Sequence, residues 1–151
     1  MFRKGKIKRL KYLIDPNHRT PLILIHHNKS NEKSGEEALL QSSPRLIINF
    51  NEITDGRLEE YLYEISSFKH EIIIFLNIDK IFQGADMEYW ESIITIALKQ
   101  ENYPIDFQDK EGNFKKYELP FHKIKVVTTC SKYPDYLKDK GMLGEIIDLK
   151  E

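Results

Sequence analysis

Lys33 and Ser34 end the stretch His27-Asn28-Lys29-Ser30-Asn31-Glu32-Lys33-Ser34, which has the spacing of a phosphate-cradling loop, G-x-x-x-x-G-K-[ST]. In such a loop the lysine reaches the phosphates and the hydroxyl holds Mg²⁺, so Lys33 and Ser34 are candidate nucleotide ligands. Two other stretches carry chemistry suited to the same ligand. Asp79 ends the apolar run EIIIFLNID, where an acid can hold Mg²⁺. Thr128 and Thr129 end KIKVVTT, where a hydroxyl can meet a terminal phosphate or a water. Each has a plainer use. Lys33-Ser34 can be a solvated lysine beside a helix cap, Asp79 a cap for the next turn, and the threonines partners for nearby backbone.

Other chemistries find no support. Cys130 is the single cysteine, which excludes an internal disulfide and a cysteine-based zinc site and fits a reducing cytosol. His26 and His27 are adjacent, so on a strand they point to opposite faces and cannot jointly hold a metal. His18, His70 and His122 show no ligand spacing, and no metal site is expected. No Ser-His-Asp or Cys-His arrangement has recognisable local context.

The elements that must position these residues follow from pattern. Leu22–Ile25 reads as a short buried strand, RLIINF (45–50) as a second, and EIIIFLNID (71–79) as a central one without alternation. KIKVVTTC (123–130) and EIIDL (145–149) complete a set of five. Ser34 can cap a helix running to Gln41, with Glu36 and Glu37 at its positive end. Asp55 is expected to cap a helix over 56–67, with Leu58, Leu62 and Ile65 on one face. A helix over 86–100 carries Trp90, Ile93, Ile94 and Ala97 inward. Residues 105–119 read as a β-hairpin turning at Lys110-Glu111-Gly112-Asn113. Strands alternating with helices predict an α/β fold, a parallel sheet of about five strands flanked by helices.

With 151 residues, the chain is expected to form one domain over 12–151 behind a basic arm at 1–11. That arm, MFRKGKIKRLK, has six basic groups and no acid, leaving about −7 on the rest. Arg3, Lys4, Lys6, Lys8 and Arg9 are candidate contacts to nucleic-acid phosphates, weak, sequence-independent and salt-sensitive. A solvated terminus, or docking on the acidic face of a second copy, uses the same charges. No apolar run reaches the roughly 18 residues of a membrane span, and no signal-peptide core follows Met1, so a cytoplasmic protein is expected.

On these residues the sequence resembles the AAA+ core of the RuvB family, the Holliday-junction branch-migration ATPases. NIDKI (77–81) is similar to the family's "FIDEI", and YELPFHKIKVVTTCSKYPDYLKDKGMLGEIIDL (117–149) to its segment of "LPPF", "ATT" and "LRDRFG". The resemblance runs over about 12–149. It implies a P-loop NTPase core with a partner-docking β-hairpin inserted before the strand that ends in threonine.

The departures from that pattern bear on activity. His27 and Glu32 replace both loop glycines, whose backbone conformations let the amides converge on phosphate. Glu32 also adds an anion there: at about 5 Å and an effective dielectric near 20, its repulsion is roughly 3 kcal/mol, about a hundredfold in affinity. Lys80 stands where the family has its water-activating glutamate, and Leu137-Lys138-Asp139-Lys140-Gly141 replaces the arginine-finger segment. The family continues into a helical lid and a winged-helix domain, whereas this sequence stops at Glu151, so no lid is expected.

These losses predict a catalytically inactive AAA+-like protein without cofactor, acting as a protein-interaction or regulatory module near DNA-recombination or repair machinery. Phe107, Phe114 and Tyr117 on the hairpin are its candidate partner-binding residues, because a two-stranded ribbon has little core in which to bury them. They can instead pack back on helix 86–100. Self-association is a further expectation. Two alternatives stay open: residual ATP binding through Lys33, Ser34 and Asp79 with little hydrolysis, and nucleic-acid binding through the arm.

Overall fold

The runs IIIFL and KVVTTC carry apolar or threonine side chains at nearly every position, so a strand built from either must be covered on both faces. The computed structural model, which describes residues 18–27, 29, 32–33, 45–67, 69–141 and 144–149, places both in the middle of a parallel sheet. In chain order the strands are β1 (Leu22–Ile25), β2 (Arg45–Asn49), β3 (Ile72–Leu76), β4 (Asn102–Gln108), β5 (Phe114–Pro120), β6 (Lys125–Cys130) and β7 (Glu145–Asp148). Among the described residues, α1 (Leu58–Ser66) and α2 (Met87–Leu98) are the helices whose bounds are seen. The five-stranded sheet has the order β2-β3-β6-β1-β7, all parallel, while β4 and β5 form a separate antiparallel ribbon between α2 and β6.

This is the α/β fold the pattern predicts, with elements trimmed at their ends. β3 stops at Leu76 because Asn77 turns left-handed, φ 62°. β6 starts at Lys125 because Phe121–Lys123 form a single 3₁₀ turn. The ribbon is longer than expected, since both arms continue beyond 105 and 119. The helix expected over 34–41 and the arm at 1–11 lie outside the described residues. No described helix is long and apolar enough to cross a membrane.

The side-chain alternation of the strands divides the core into two layers. Ile23, Ile48, Ile73, Phe75 and Val126 face Leu58, Leu62 and Ile65 of α1 and Trp90, Ile93, Ile94 and Ala97 of α2. Leu22, Leu24, Ile72, Ile74, Leu76, Val127 and Leu149 make the layer on the other face. Trp90 anchors the first layer: its ring meets Phe50 edge-on at 5.1 Å and Tyr61 at 5.7 Å. Such pairs add about 0.5–1.5 kcal/mol each beyond area burial.

Asp55 does not cap α1. The residue before α1 is Arg57, which makes no side-chain cap. Asp55 instead accepts hydrogen bonds from the backbone N–H groups of Ala85 (3.2 Å) and Asp86 (3.1 Å), and Asp86 in return accepts from Gly56 N–H at 2.8 Å. Two carboxylates thus clamp the start of α1 to the start of α2 across 30 residues of sequence. Gly84 is part of the clamp, because a Cβ there would lie 2.8 Å from the Asp55 carboxylate.

Asp55→Ala returns the Ala85 amide to water and strands the part-buried Asp86 amide, at about 1 kcal/mol or more of stability. Thermal melting is expected to show a loss of roughly 2–4 °C per kcal/mol for a domain of this size; an unchanged melt would show the clamp to be idle.

Candidate functional site

Ligands of open parallel sheets bind beyond the carboxyl ends of the strands, where the strand order reverses. Here that place is beside β1, which lies between β6 and β7 although those strands come last in the chain. The structure distributes the candidate residues unevenly along this edge.

Beyond β1 the chain continues the sheet only through the His26 N–H, which donates to Cys130 O at 2.9 Å. His26 is buried, and His27 is turned outward with Nε2 2.5 Å from Asp148 Oδ1 at the end of β7. The first glycine position of the loop spacing is therefore taken by a ring that ties two strand ends together. Lys29, Glu32 and Lys33 are helical, with Lys33 exposed. Ser34 lies outside the described residues.

The middle of the edge is built around β6. Thr128 and Thr129 are both buried. The Thr128 hydroxyl donates to Leu22 O at 3.2 Å, and Thr129 Oγ1 accepts the Asn77 N–H at 2.9 Å. Both hydroxyls thus stitch β6 to its neighbours. Asp79 is brought to the same edge, but its carboxylate faces the loop after β6. Oδ2 accepts from the Ser131 hydroxyl at 2.5 Å, Oδ1 from the Ser131 N–H at 3.3 Å, and Lys80 Nζ stands 3.7 Å away. A cleft of about 310 Å³ beside it is lined by Lys80, Glu91, Lys132, Tyr133, Asp135 and Tyr136, among others, charges of both signs. Burial, and secondarily the charge of Asp79, pushes the Cys130 thiol up to about 12, so it stays protonated and unreactive at neutral pH.

The pattern gave no warning of Asn49, Asn77 and Ser131. Asn77 is buried in a left-handed conformation, and its amide donates to Asn49 Oδ1 at 3.0 Å. Asparagine adopts that conformation more readily than most residues, so an Asn directly after a buried strand was the available signal.

The hairpin divides its three candidate partner-binding aromatics between two faces. In the observed register Phe107 lies opposite Lys115 and Gln108 opposite Phe114, so Phe107 and Phe114 occupy opposite faces. Phe107 packs inward, edge-on to Tyr89 at 5.9 Å. Tyr117 is also inward, its hydroxyl donating to Glu59 Oε2 of α1 at 2.6 Å. Phe114 alone points out, 75% exposed. The tip is rigidly made: Asp109 Oδ1 accepts the N–H groups of Glu111 and Asn113, both at 2.9 Å, and Gly112 supplies the left-handed residue, φ 85°. Lys115 Nζ adds an ion pair to Glu59 at 2.9 Å. The Tyr117 hydroxyl, then Lys115, hold the Glu59 carboxyl below its usual range, while burial first and Glu59 second raise Tyr117. Among the described residues, no three His, Cys, Asp or Glu side chains converge as a metal site would require.

No family model and no curated protein matches this chain. A solved structure of JCV helicase, crystallised with a small-molecule acetamide, is similar to it with a TM-score of 0.50 and 14% identity over 95% of this chain. The chain spans 40% of the length of that helicase chain. The likeness is one of fold alone.

The Glu59 network carries its own pH dependence. Its folded pKa is lowered, so its contribution is present above the unfolded value and is lost as pH falls through the carboxylate range, below about 4. Amide exchange in β5 is expected to quicken there ahead of exchange in β3, and Glu59→Gln to quicken it at neutral pH. Equal protection of β5 in the variant would refute the anchoring role.

Proposed function

We propose that this chain is a P-loop-like module that does not hydrolyse ATP and works by binding another protein through the 102–120 hairpin. The observation that carries this reading is Phe114, a large aromatic held in water on a rigid ribbon. Phe107 and Tyr117 fix that ribbon to α2 and α1, so Phe114 is presented on a preorganised surface, the arrangement in which one side chain contributes most to binding. The kinship to RuvB-type cores suggested by NIDKI and by 117–149 belongs with this reading, as does a partner near DNA-processing machinery.

The loss of turnover rests on the chain's own substitutions. Glu32 and His27 take the glycine positions, and Lys80 is a cation where a base is needed. Asp79 shares its carboxylate with Ser131, which competes with an incoming Mg²⁺. Arginine-finger chemistry has no counterpart at Leu137–Gly141, where the bases are lysines.

Titration calorimetry with ATP and Mg²⁺ is expected to give no binding at millimolar nucleotide; a micromolar Kd would overturn this half of the reading. The other half is tested by two phenylalanines that the hairpin separates. Phe114→Ala is expected to leave stability within about 0.5 kcal/mol of wild type while removing about 2 kcal/mol of partner binding, some thirtyfold in affinity. Phe107→Ala is expected to cost about 2 kcal/mol or more of stability through lost packing on Tyr89. Proteins retained from a lysate by the immobilised chain should be lost with Phe114→Ala. Retention of all of them would remove Phe114 as the anchor.

A further inference from the structure

The ribbon has two edges, and they are not equivalent. Asp109 N–H donates to Asn113 O, which fixes Asp109 and Asn113 as a bonded pair of the antiparallel ladder. Bonded and non-bonded pairs alternate, so 107/115, 105/117 and 103/119 exchange the ladder bonds. The backbone groups of Asn102, Pro104, Asp106 and Gln108 then point outward along β4, and those of Phe114, Lys116, Glu118 and Pro120 along β5. Pro104 and Pro120 agree with this assignment, since neither has an N–H to give to the ladder. On β4 the proline falls within the row and interrupts its donors, a device that protects an edge from further pairing. On β5 three donors in succession, Phe114, Lys116 and Glu118, are uninterrupted, and all three residues are exposed.

Beside that edge lies a groove of about 590 Å³, lined by Lys115 and Tyr117 of β5 and by Arg57, Glu60, Tyr63 and Glu64 of α1, with others. Tyr63 is 61% exposed. A strand laid along β5 would alternate its side chains between the outer face, level with Phe114, and this groove. The surroundings select their charge. Residues 51–119 contain fifteen acids and seven bases, and the groove itself is lined by Glu59, Glu60 and Glu64 against Arg57 and Lys115, which leaves one carboxylate in excess. Lysine or arginine stems can lie along Tyr63 with their heads near Glu64, the groove acid that neither Arg57 nor Lys115 holds, while the alternate residues meet Phe114.

We propose that the outer edge of β5 receives an extended basic segment of another protein as a third strand. This rests on the protein-binding reading of the hairpin and specifies its mode: backbone pairing for affinity, alternate side chains for selection. Hydrogen-bonding complementarity favours an extended partner over a docked helix, because only a chain in the strand conformation matches donors at every second residue.

The test uses the full chain labelled for amide NMR and a synthetic twelve-residue peptide alternating Lys and Val, with an alternating Glu and Val peptide as control. Shifts and slowed exchange are expected at the Phe114, Lys116 and Glu118 amides with the Lys-Val peptide alone, weakening steeply with salt. Lys116→Pro removes the central outward donor without touching the ladder, and is expected to lower affinity at least tenfold while the β4 amides stay protected. If Lys116→Pro unfolds the ribbon, a Lys-Val peptide N-methylated at every second residue makes the same cut from the other side. Binding that survives either cut, or that appears equally with the Glu-Val peptide, overturns strand addition. If such binding still requires Phe114, the hairpin remains a protein-binding surface and only the mode fails. No binding of the Lys-Val peptide also overturns the proposal, whereas the Phe114→Ala retention experiment then still decides the broader reading. Tighter peptide binding after removal of residues 1–11 would show that the chain's own arm occupies the edge, and would overturn the assignment to another protein.

Discussion

The carboxyl edge of the sheet hangs from β6. It is bonded to β3 on one side and β1 on the other, and its last residues supply partners to both neighbours. Thr128 donates to Leu22 O, Thr129 accepts the amide of Asn77, Cys130 accepts the amide of His26, and Ser131, just after the strand, donates to Asp79. Every candidate nucleotide residue at the ends of β3 and β6 is therefore part of the sheet's own bonding. A hydroxyl buried between strands must be satisfied there or cost about 1–3 kcal/mol, and this requirement leaves Thr128 and Thr129 little freedom to serve a ligand.

That commitment explains why the two ends of the domain differ in character. At the strand ends polar groups are consumed internally, and the cleft beside Asp79 mixes lysines with acids. At the ribbon the inward residues secure the attachment to α1 and α2, and the outward face is left to solvent. The reciprocal Asp55 and Asp86 clamp stands beneath the ribbon tip and fixes the two helices that carry it. The surface around Phe114 is therefore ordered during folding, which is the premise of the binding proposed for it.

Much of this was legible in the sequence because it is periodic. The unbroken apolar run of β3, and the faces Leu58-Leu62-Ile65 and Trp90-Ile93-Ile94-Ala97, are set by local spacing and survive in the structure unchanged. The hairpin was legible as an element but not as a surface, since a shift of one residue in register moves an aromatic to the opposite face. Phe107 and Phe114 needed the Asp109–Asn113 turn before their faces could be told apart. Asp55 was read as a helix cap and Asp79 as a Mg²⁺ ligand or else a turn cap, yet their partners lie 31 and 52 residues away, beyond what any spacing encodes. The loop of Lys33 and Ser34 keeps its meaning at the level of residue type alone: Lys33 is placed on a helical turn, while Ser34 lies outside the described residues.

The position of β1 has a consequence for how the chain is made. Its two neighbours in the sheet are the last two strands of the five, and the Thr128 to Leu22 bond closes a separation of 106 residues. At about 5–20 residues per second, a ribosome needs roughly 5–20 s to supply β6 after β1 has emerged. Throughout that interval Leu22–Ile25 is an apolar strand with both edges unpaired, while β4 and β5, joined by a short turn, can pair as soon as they appear. The β4–β5 ribbon can thus form before β1 finds its neighbours, and until β6 arrives β1 is an apolar strand with two open edges.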